Sequence, residues 1–501
     1  MLSKDKVLEG LFTIIGKERV IADEKTLREN SVDSFRKYAT LHNVYELPLP
    51  IAVIYAKNTE EVSKILLFAN ENRINVIAKN GGTSGEGGLE NITANTIILD
   101  GSQMNHIANV DTQNMQVTVG CGVVLADLEE LLRKQGLTTG HAPQNKLAQI
   151  GGLVATRSSG TLSNLYGGIE DMVVGLESVF PNGTIVRIKN SPRRAAGPDI
   201  RQVIIGNEGA IAYITQITLK LFKYRPENNL FLGWLIDDMS EGLSIIREVM
   251  TNGLKPSVAR LYSPEDAKQH FPHFYKGKCV LVFMTEGMKS IAKATYDEIV
   301  NIVDTYKSKL ITVEFKYYND AVNVVTNHKT IEEVDARLIE KWFGSLNYNA
   351  EQMAAEKKLM LEHKNIGFTT EISCDWGSVI NIYESAIKRI RTEFPHAADI
   401  TLLGAHSSHS YQNGTNLSFV YNYNVVGKPE EERIKYHIPL NAIIVEEALK
   451  FGGSMVHHHG IGKYRSNWIK NEHGSAYYIL DTLKKSFDPN DIMNKGTIFK
   501  A

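Results

Sequence analysis

Val62, Ile65, Leu66 and Ala69 recur at helical spacing, and the apolar run Ile74-Asn-Val-Ile-Ala78 follows directly. The first pattern predicts an amphipathic helix and the second a short buried strand. Thr96-Ile-Ile-Leu99 and Val117-Thr-Val119 read as further strands. Leu125, Leu128, Leu131 and Leu132 mark one side of another helix, with Gly136 placed to cap its end. Asn182-Gly183 stands between the stretch 172–180 and Thr184-Ile-Val-Arg-Ile188, the dipeptide that most strongly signals a tight hairpin.

This texture divides the chain. Residues 1–46 read as a helical lead-in, and residues 47–225 alternate short helices and strands densely. After Arg225-Pro226, residues 226–445 carry longer helices between strands such as Val280-Leu-Val-Phe283, the pattern of an antiparallel sheet covered by helices. Tyr421 and Tyr423 alternate with Asn422 and Asn424, which gives that strand one aromatic face suited to core packing. Residues 446–501 turn glycine- and histidine-rich and then helical. The predicted class is α+β.

Composition narrows the function less than it narrows the environment. The 501 residues suffice for two or three domains, and 43% hydrophobic with 22% charged residues describes an ordinary globular chain. A formal net charge of −2 without long runs of one sign gives no electrostatic reason for a nucleic-acid or anionic-membrane partner. No apolar stretch has the length of a signal peptide or of a membrane span, so a cytoplasmic location is expected. Cys121, Cys279 and Cys374 lie far apart and form no metal-type pair; they read as reduced, buried thiols.

The strongest local signal is Ala78-Lys-Asn-Gly-Gly-Thr-Ser-Gly-Glu-Gly-Gly88. Five glycines in eight positions after a strand let the backbone turn several N–H groups toward one point, an anion nest for phosphate or pyrophosphate. A glycine-rich surface hairpin is the alternative. No Gly-Lys-Ser/Thr ends the loop, and Gly206-Asn-Glu-Gly-Ala-Ile-Ala-Tyr213 lacks G-x-G-x-x-G, so neither a Walker loop nor a Rossmann fingerprint is present.

Four blocks occur in a fixed order: Gly81-Gly-Thr-Ser84; Ile150-Gly-Gly-Leu-Val-Ala-Thr-Arg-Ser-Ser-Gly160 with Tyr166-Gly-Gly-Ile-Glu-Asp171; Gly197-Pro-Asp199 with Ile205-Gly-Asn-Glu-Gly209; and Gly452-Gly-Ser-Met-Val-His-His-His-Gly-Ile-Gly462. That order resembles the vanillyl-alcohol-oxidase (PCMH-type) flavoproteins, in their FAD-linked oxidase/transferase branch. The branch includes D-lactate and glycolate dehydrogenases and, with the closest likeness, alkyldihydroxyacetonephosphate synthase. The resemblance implies a two-subdomain FAD-binding domain under an antiparallel cap, FAD as cofactor and a homodimer. It places the cofactor on Asn80, Gly81, Gly82, Thr83, Ser84, Pro143, Gly151, Gly152, Thr156, Arg157, Ser159, Glu208, Gly209 and Ile214. Covalently flavinylated relatives carry a histidine in the glycine loop; Thr83 and Ser84 stand here, so non-covalent FAD is expected.

The same likeness makes Arg260 an active-site arginine that would pair with an anionic small molecule through its planar fork, with a surface or interdomain salt bridge as the alternative. It also exposes departures. The synthase's acid/base tyrosine falls on Ser418, and a second arginine falls near Met353. The hydroxyacid dehydrogenases would have a histidine at Ser418 and a glutamate at His458, both tied to a metal, and no metal is expected here.

His457, His458 and His459 are the strongest catalytic signal, since a histidine titrating near neutrality can take a hydroxyl proton as hydride leaves. A metal-binding tract or a structural role is the alternative for the triplet. On an extended segment His457 and His459 would share a face while His458 points away. His459 is the expected base, more essential than Ser418. His406, His409 and Tyr411 are expected around the same pocket. The function expected is hydride transfer from a small anionic alcohol or 2-hydroxy acid to FAD. A synthase-like alkyl transfer without net redox is the alternative, and a non-catalytic flavin-binding subunit is a remote third reading.

Overall fold

A computed structural model describes residues 2–272, 275–306, 315–316, 342–346 and 350–500. The other stretches of 307–349, inside the span read from sequence as a cap, lie outside the described residues.

The helix Thr59–Glu71 forms where the periodicity predicts it, and it buries Val62, Ile65, Leu66 and Ala69. Asn58 caps its start, its side chain accepting the Glu61 amide at 2.9 Å. The strand Asn75–Lys79 follows and lies parallel to Thr96–Asp100, which is in turn parallel to Ala52–Tyr55. The lead-in is more than helical, because Val20–Ile21 adds to this sheet against Ala52–Tyr55. Its first helix, Lys4–Ile15, drops Val7, Leu11 and Ile15 into the core.

A second, five-stranded sheet is antiparallel, in the order Ile107–Asp111, Gln116–Gly120, Tyr213–Lys220, Val173–Val179, Ile185–Ile188. The last two strands are the hairpin turned by Asn182-Gly183. Leu125–Arg133 packs Leu125, Leu128 and Leu132 inward, while Leu131 is only partly buried. Both sheets share one hydrophobic core.

From Leu230 onward a seven-stranded antiparallel sheet takes over. Its cavity-bearing half runs Val258–Tyr262, Ile400–Ser407, Gly414–Asn424, Asn365–Asp375. Register aligns Tyr262, His406, Ser418 and Glu371 in one row across these four strands. Side chains alternate across a strand. Ser418, Val420 and Asn422 therefore line the cavity, while Leu417, Phe419, Tyr421 and Tyr423 are fully buried on the opposite face under the helices Val379–Glu393 and Ile438–Lys450.

The C-terminal segment returns to the first sheet. The Val76 amide donates to Ile492 at 2.7 Å, and the Asn494 amide donates back to Val76 at 2.9 Å. Cys121, Cys279 and Cys374 are buried and unpaired. Among the described residues no helix is long and apolar enough to cross a membrane.

Candidate active site

A cavity of about 480 Å³ lies between the glycine loop and the polar face of the seven-stranded sheet, a volume ordinary for a cofactor or small-ligand site. Asn80, Gly81, Gly82, Thr83, Ser84, Pro143, Gly151, Gly152, Thr156, Ser159, Glu208, Gly209 and Ile214 all line it. Arg260, Ser418, His458 and His459 line it from the other side, with His406 and His409.

The glycine loop divides into two halves with different work. The amides of Gly87, Gly88 and Leu89 donate to the buried carboxylate of Asp33 at 2.6, 3.0 and 2.9 Å. The amides of Gly81, Gly82, Thr83 and Ser84 donate to no acceptor among the described residues, and these four residues line the cavity. A Cβ at Gly81 would lie 2.9 Å from the Leu147 carbonyl, so no larger residue fits between the loop and the segment Pro143–Gln149. Gln149, also on the cavity wall, has a buried Oε1 with no partner. Unpaired donors beside an unpaired acceptor are what a pyrophosphate and a heterocycle would satisfy. The residues present fit FAD.

Three positions expected at the site are turned from the cavity. Arg157 reaches outward to Gln202 at 3.0 Å and Glu170 at 3.3 Å, and its side chain is 47% exposed. Tyr411 is 40% exposed and its hydroxyl meets His457 Nε2 at 2.7 Å. His457 stacks on His409 with ring centroids 5.0 Å apart.

The alternation expected of the histidine triplet fails because the segment is no strand. It bends around one carboxylate: the amides of His457, His458 and His459 all donate to Glu371, the last at 2.6 Å. Glu208 then accepts the amides of Ile461 at 2.7 Å and Gly462 at 2.8 Å. Two glutamates thereby fix five backbone N–H groups and set His458 and His459 on the cavity side. Arg465 backs the turn, donating to the carbonyls of Glu371 and Met455 and to Glu86 at 2.8 Å. Lys463 ties the segment to Gly88, Asn494 and Thr497, each at 3.0 Å. These two cations hold the loop.

Ser418 accepts from Asn416 at 3.2 Å. Asn416 also accepts the amides of Ser408 and His409, fixing the turn that carries His409. His409 Nδ1 lies 2.7 Å from Ser163 and 3.2 Å from Ser159. Met353 lies on the helix Ala350–His363, one turn before Glu356 at the cavity edge. Gly197-Pro-Asp199 is exposed and away from the cavity, with Asp199 paired to Arg201.

Asp266, Glu371, Asp33 and Asn416 carry no signal in the sequence. Each acts through a partner distant in the chain or through the backbone, and no motif spacing records that.

Burial dominates the protonation of the histidines. It pushes His457 down to about 4 and His459 down to about 3, the latter helped by Arg465. His458 and His409 are also held well below the usual range by burial, with neighbouring imidazoles adding to it. Groups whose folded pKa is depressed contribute stability that is complete above their unfolded value near 6.5 and is lost as pH falls through the folded values. Thermal scans from pH 7 to pH 4 should show melting temperature and flavin retention falling together across that window. A flat profile would mean these imidazoles are not buried neutral.

Residues 50–189 match the FAD binding domain family, and residues 225–498 match the C-terminal domain family of FAD linked oxidases. The chain is 56% identical over 500 residues to an uncharacterized FAD-linked oxidoreductase, YgcU, of Escherichia coli O157:H7, covering 99% of each. It is 27% identical over 468 residues to alkyldihydroxyacetonephosphate synthase of Caenorhabditis elegans, covering 90% of this chain and 76% of that one. Against the mitochondrial D-lactate dehydrogenase [cytochrome] of Arabidopsis thaliana, identity is 26% over 505 residues, covering 99% and 82%. Among solved structures, an alkyldihydroxyacetonephosphate synthase superposes with a TM-score of 0.75 at 20% identity over 98% of this chain and 85% of that one. The 4-ethylphenol oxidase of Gulosibacter chungangensis superposes with 0.76 at 16% over 99% and 97%.

This chain belongs to the FAD-linked oxidases, with the α+β architecture of the vanillyl-alcohol-oxidase flavoproteins. It is an FAD-dependent enzyme of the oxidoreductase type.

Proposed function

We propose that the enzyme oxidises a small anionic alcohol of the 2-hydroxy-acid type, with Arg260 binding the carboxylate and a cavity-wall histidine taking the hydroxyl proton. The observation that carries this is the state of Arg260. Its side chain is buried, with the residue 3% exposed, yet it meets no carboxylate among the described residues. Nη1 donates to the Tyr262 hydroxyl at 2.9 Å, and Nε has no partner. A buried guanidinium is costly unless paired, and an anionic substrate in this cavity would pair it through a planar fork.

FAD, when bound, supplies a non-covalently held acceptor for the hydride. The chain's own groups hold it through the free amides of residues 81–84 and orient the substrate through Arg260. They also receive the proton among His406, His458 and His459.

The test is anaerobic mixing of the FAD-loaded protein with D-lactate and glycolate. Bleaching of the oxidised flavin band is expected, and acid precipitation should release free FAD into the supernatant. No bleaching by any 2-hydroxy acid overturns the substrate class, and flavin retained on the polypeptide overturns the non-covalent part.

Synthase-type alkyl exchange is the second reading, favoured by the 27% identity across 90% of this chain. The serine at 418, accepting from Asn416, has no phenol to serve as acid. Acyl-dihydroxyacetone phosphate turned over without lasting bleaching would select this reading over the first.

A further inference from the structure

One cavity histidine has a carboxylate directly behind its ring. Asp266 stands in the first turn of the helix Pro264–His270, which follows the strand carrying Arg260, and it is fully buried. Its Oδ2 lies 2.7 Å from His406 Nδ1, and its Oδ1 lies 3.4 Å from Nε2 of His270, one turn further along. The helix can lie this close only because Gly404, two residues before His406 on the same strand face, has no side chain. A Cβ there would come within 2.9 Å of the Asp266 amide nitrogen. Tyr262 packs beside the pair, its ring centroid 5.3 Å from that of His406.

With Nδ1 committed to Asp266, the nitrogen that His406 offers the cavity is Nε2. The strand register puts His406 beside Tyr262 on one side and Ser418 on the other, with Arg260 two residues from Tyr262 on the same face. An anion held on Arg260 is therefore the immediate neighbour of His406.

We infer that His406 is the proton acceptor of the site and that Asp266 is its positioning residue. This rests on the proposed oxidation of an anionic alcohol. The substrate O–H bond breaks, its proton passes to Nε2, and the electron pair left on oxygen forms the C=O bond as the C–H hydrogen leaves with its electrons to the bound flavin. Asp266 stays ionised, holds Nδ1–H and stabilises the imidazolium.

The other candidates lack this arrangement. Glu371 lies 3.6 Å from His459 Nδ1, but its oxygens already hold three amides, and Arg465 faces the same ring. His409 and His458 are surrounded by imidazoles. The base thus moves from the triplet to His406.

The groups facing His406 are Asp266 and His270 from the helix and Arg260 from the neighbouring strand. His409, in the turn that follows its own strand, and His459, in the loop opposite, complete the set. Burial lowers its pKa and Asp266 opposes the fall. The hydrogen bond from His406 and the nearby His270 imidazole hold Asp266 below the usual carboxylate range despite its burial.

The test uses the FAD-loaded protein, stopped-flow bleaching with D-lactate and glycolate, and oxalate as a binding probe. His406→Gln should slow bleaching ~10²–10⁴-fold with oxalate affinity and flavin content unchanged, and added imidazole should restore rate to His406→Ala. Asp266→Asn should slow it about 10²-fold or more and move the rising limb of the pH profile to lower pH, because the lost carboxylate had raised the imidazole's basicity. Asp266→Glu should recover part of the rate. If Asp266→Asn does not fold, the His406 pair and its imidazole rescue decide alone. Variants that bleach at the wild-type rate, or His406→Ala deaf to imidazole, overturn the inference. A wild-type enzyme bleached by no 2-hydroxy acid removes the proposed function beneath it.

Discussion

Glu371→Ala should leave an enzyme that neither holds its histidine loop nor turns over substrate. The carboxylate is fully buried and takes the amides of His457, His458 and His459, with Arg465 Nη1 at 3.7 Å. Alanine strands three part-buried donors and leaves the buried Arg465 with Glu86 as its one counter-charge among the described residues. Leaving one partner of a buried ion pair unmatched costs about 3–5 kcal/mol, and each orphaned amide adds about 1–3 kcal/mol unless water reaches it. A large drop in melting temperature and fast amide exchange across residues 457–462 are expected. Glu371→Gln, which keeps one acceptor oxygen and loses the charge, should fall between. Wild-type exchange in that loop for the alanine variant would show that Glu371 is not its anchor.

The opposite signature is expected of Arg260→Met. The guanidinium is buried, bonded only to the Tyr262 hydroxyl among the described residues, and Met fills most of the same volume without charge. Hydrogen bonds to a charged group contribute about 1.5–3 kcal/mol each, so losing a two-pronged carboxylate contact should weaken oxalate binding about 10²–10⁴-fold. Removing an unpaired buried charge should leave the melting temperature unchanged or raise it. Isothermal titration and a thermal melt on the same sample separate the two effects. Unchanged oxalate affinity would remove Arg260 from the substrate site.

What was legible in the sequence was the part carried by local chemistry. Val62, Ile65, Leu66 and Ala69 predicted a helix because burial on one face imposes the period, and Tyr421 and Tyr423 predicted a core-facing strand for the same reason. The glycine loop announced itself because a backbone nest needs glycine over consecutive positions. The histidine triplet was visible as composition, but its geometry was not: alternation assumes a strand, and the segment is bent by a glutamate 86 residues earlier. Asp266 was invisible for the same reason, since its partner His406 is 140 residues away. Arg157 misled because a motif position fixes a residue's neighbourhood and not the direction of its side chain; a left-handed backbone at φ +52° turns it toward Gln202.

Pairing between Val76 and residues 492–494 bears on the order in which the molecule is made. The glycine loop leaves the ribosome some four hundred residues before Asn494, which completes the cavity wall. At roughly 5–20 residues per second the nascent loop waits tens of seconds for that partner. Asp33 is synthesised before the loop and already engages the amides of Gly87, Gly88 and Leu89, so half of the turn can be shaped during translation. The other half, residues 81–84, borders a cavity whose wall is complete only once Asn494 has been made, so the finished site can close around a cofactor no earlier than that.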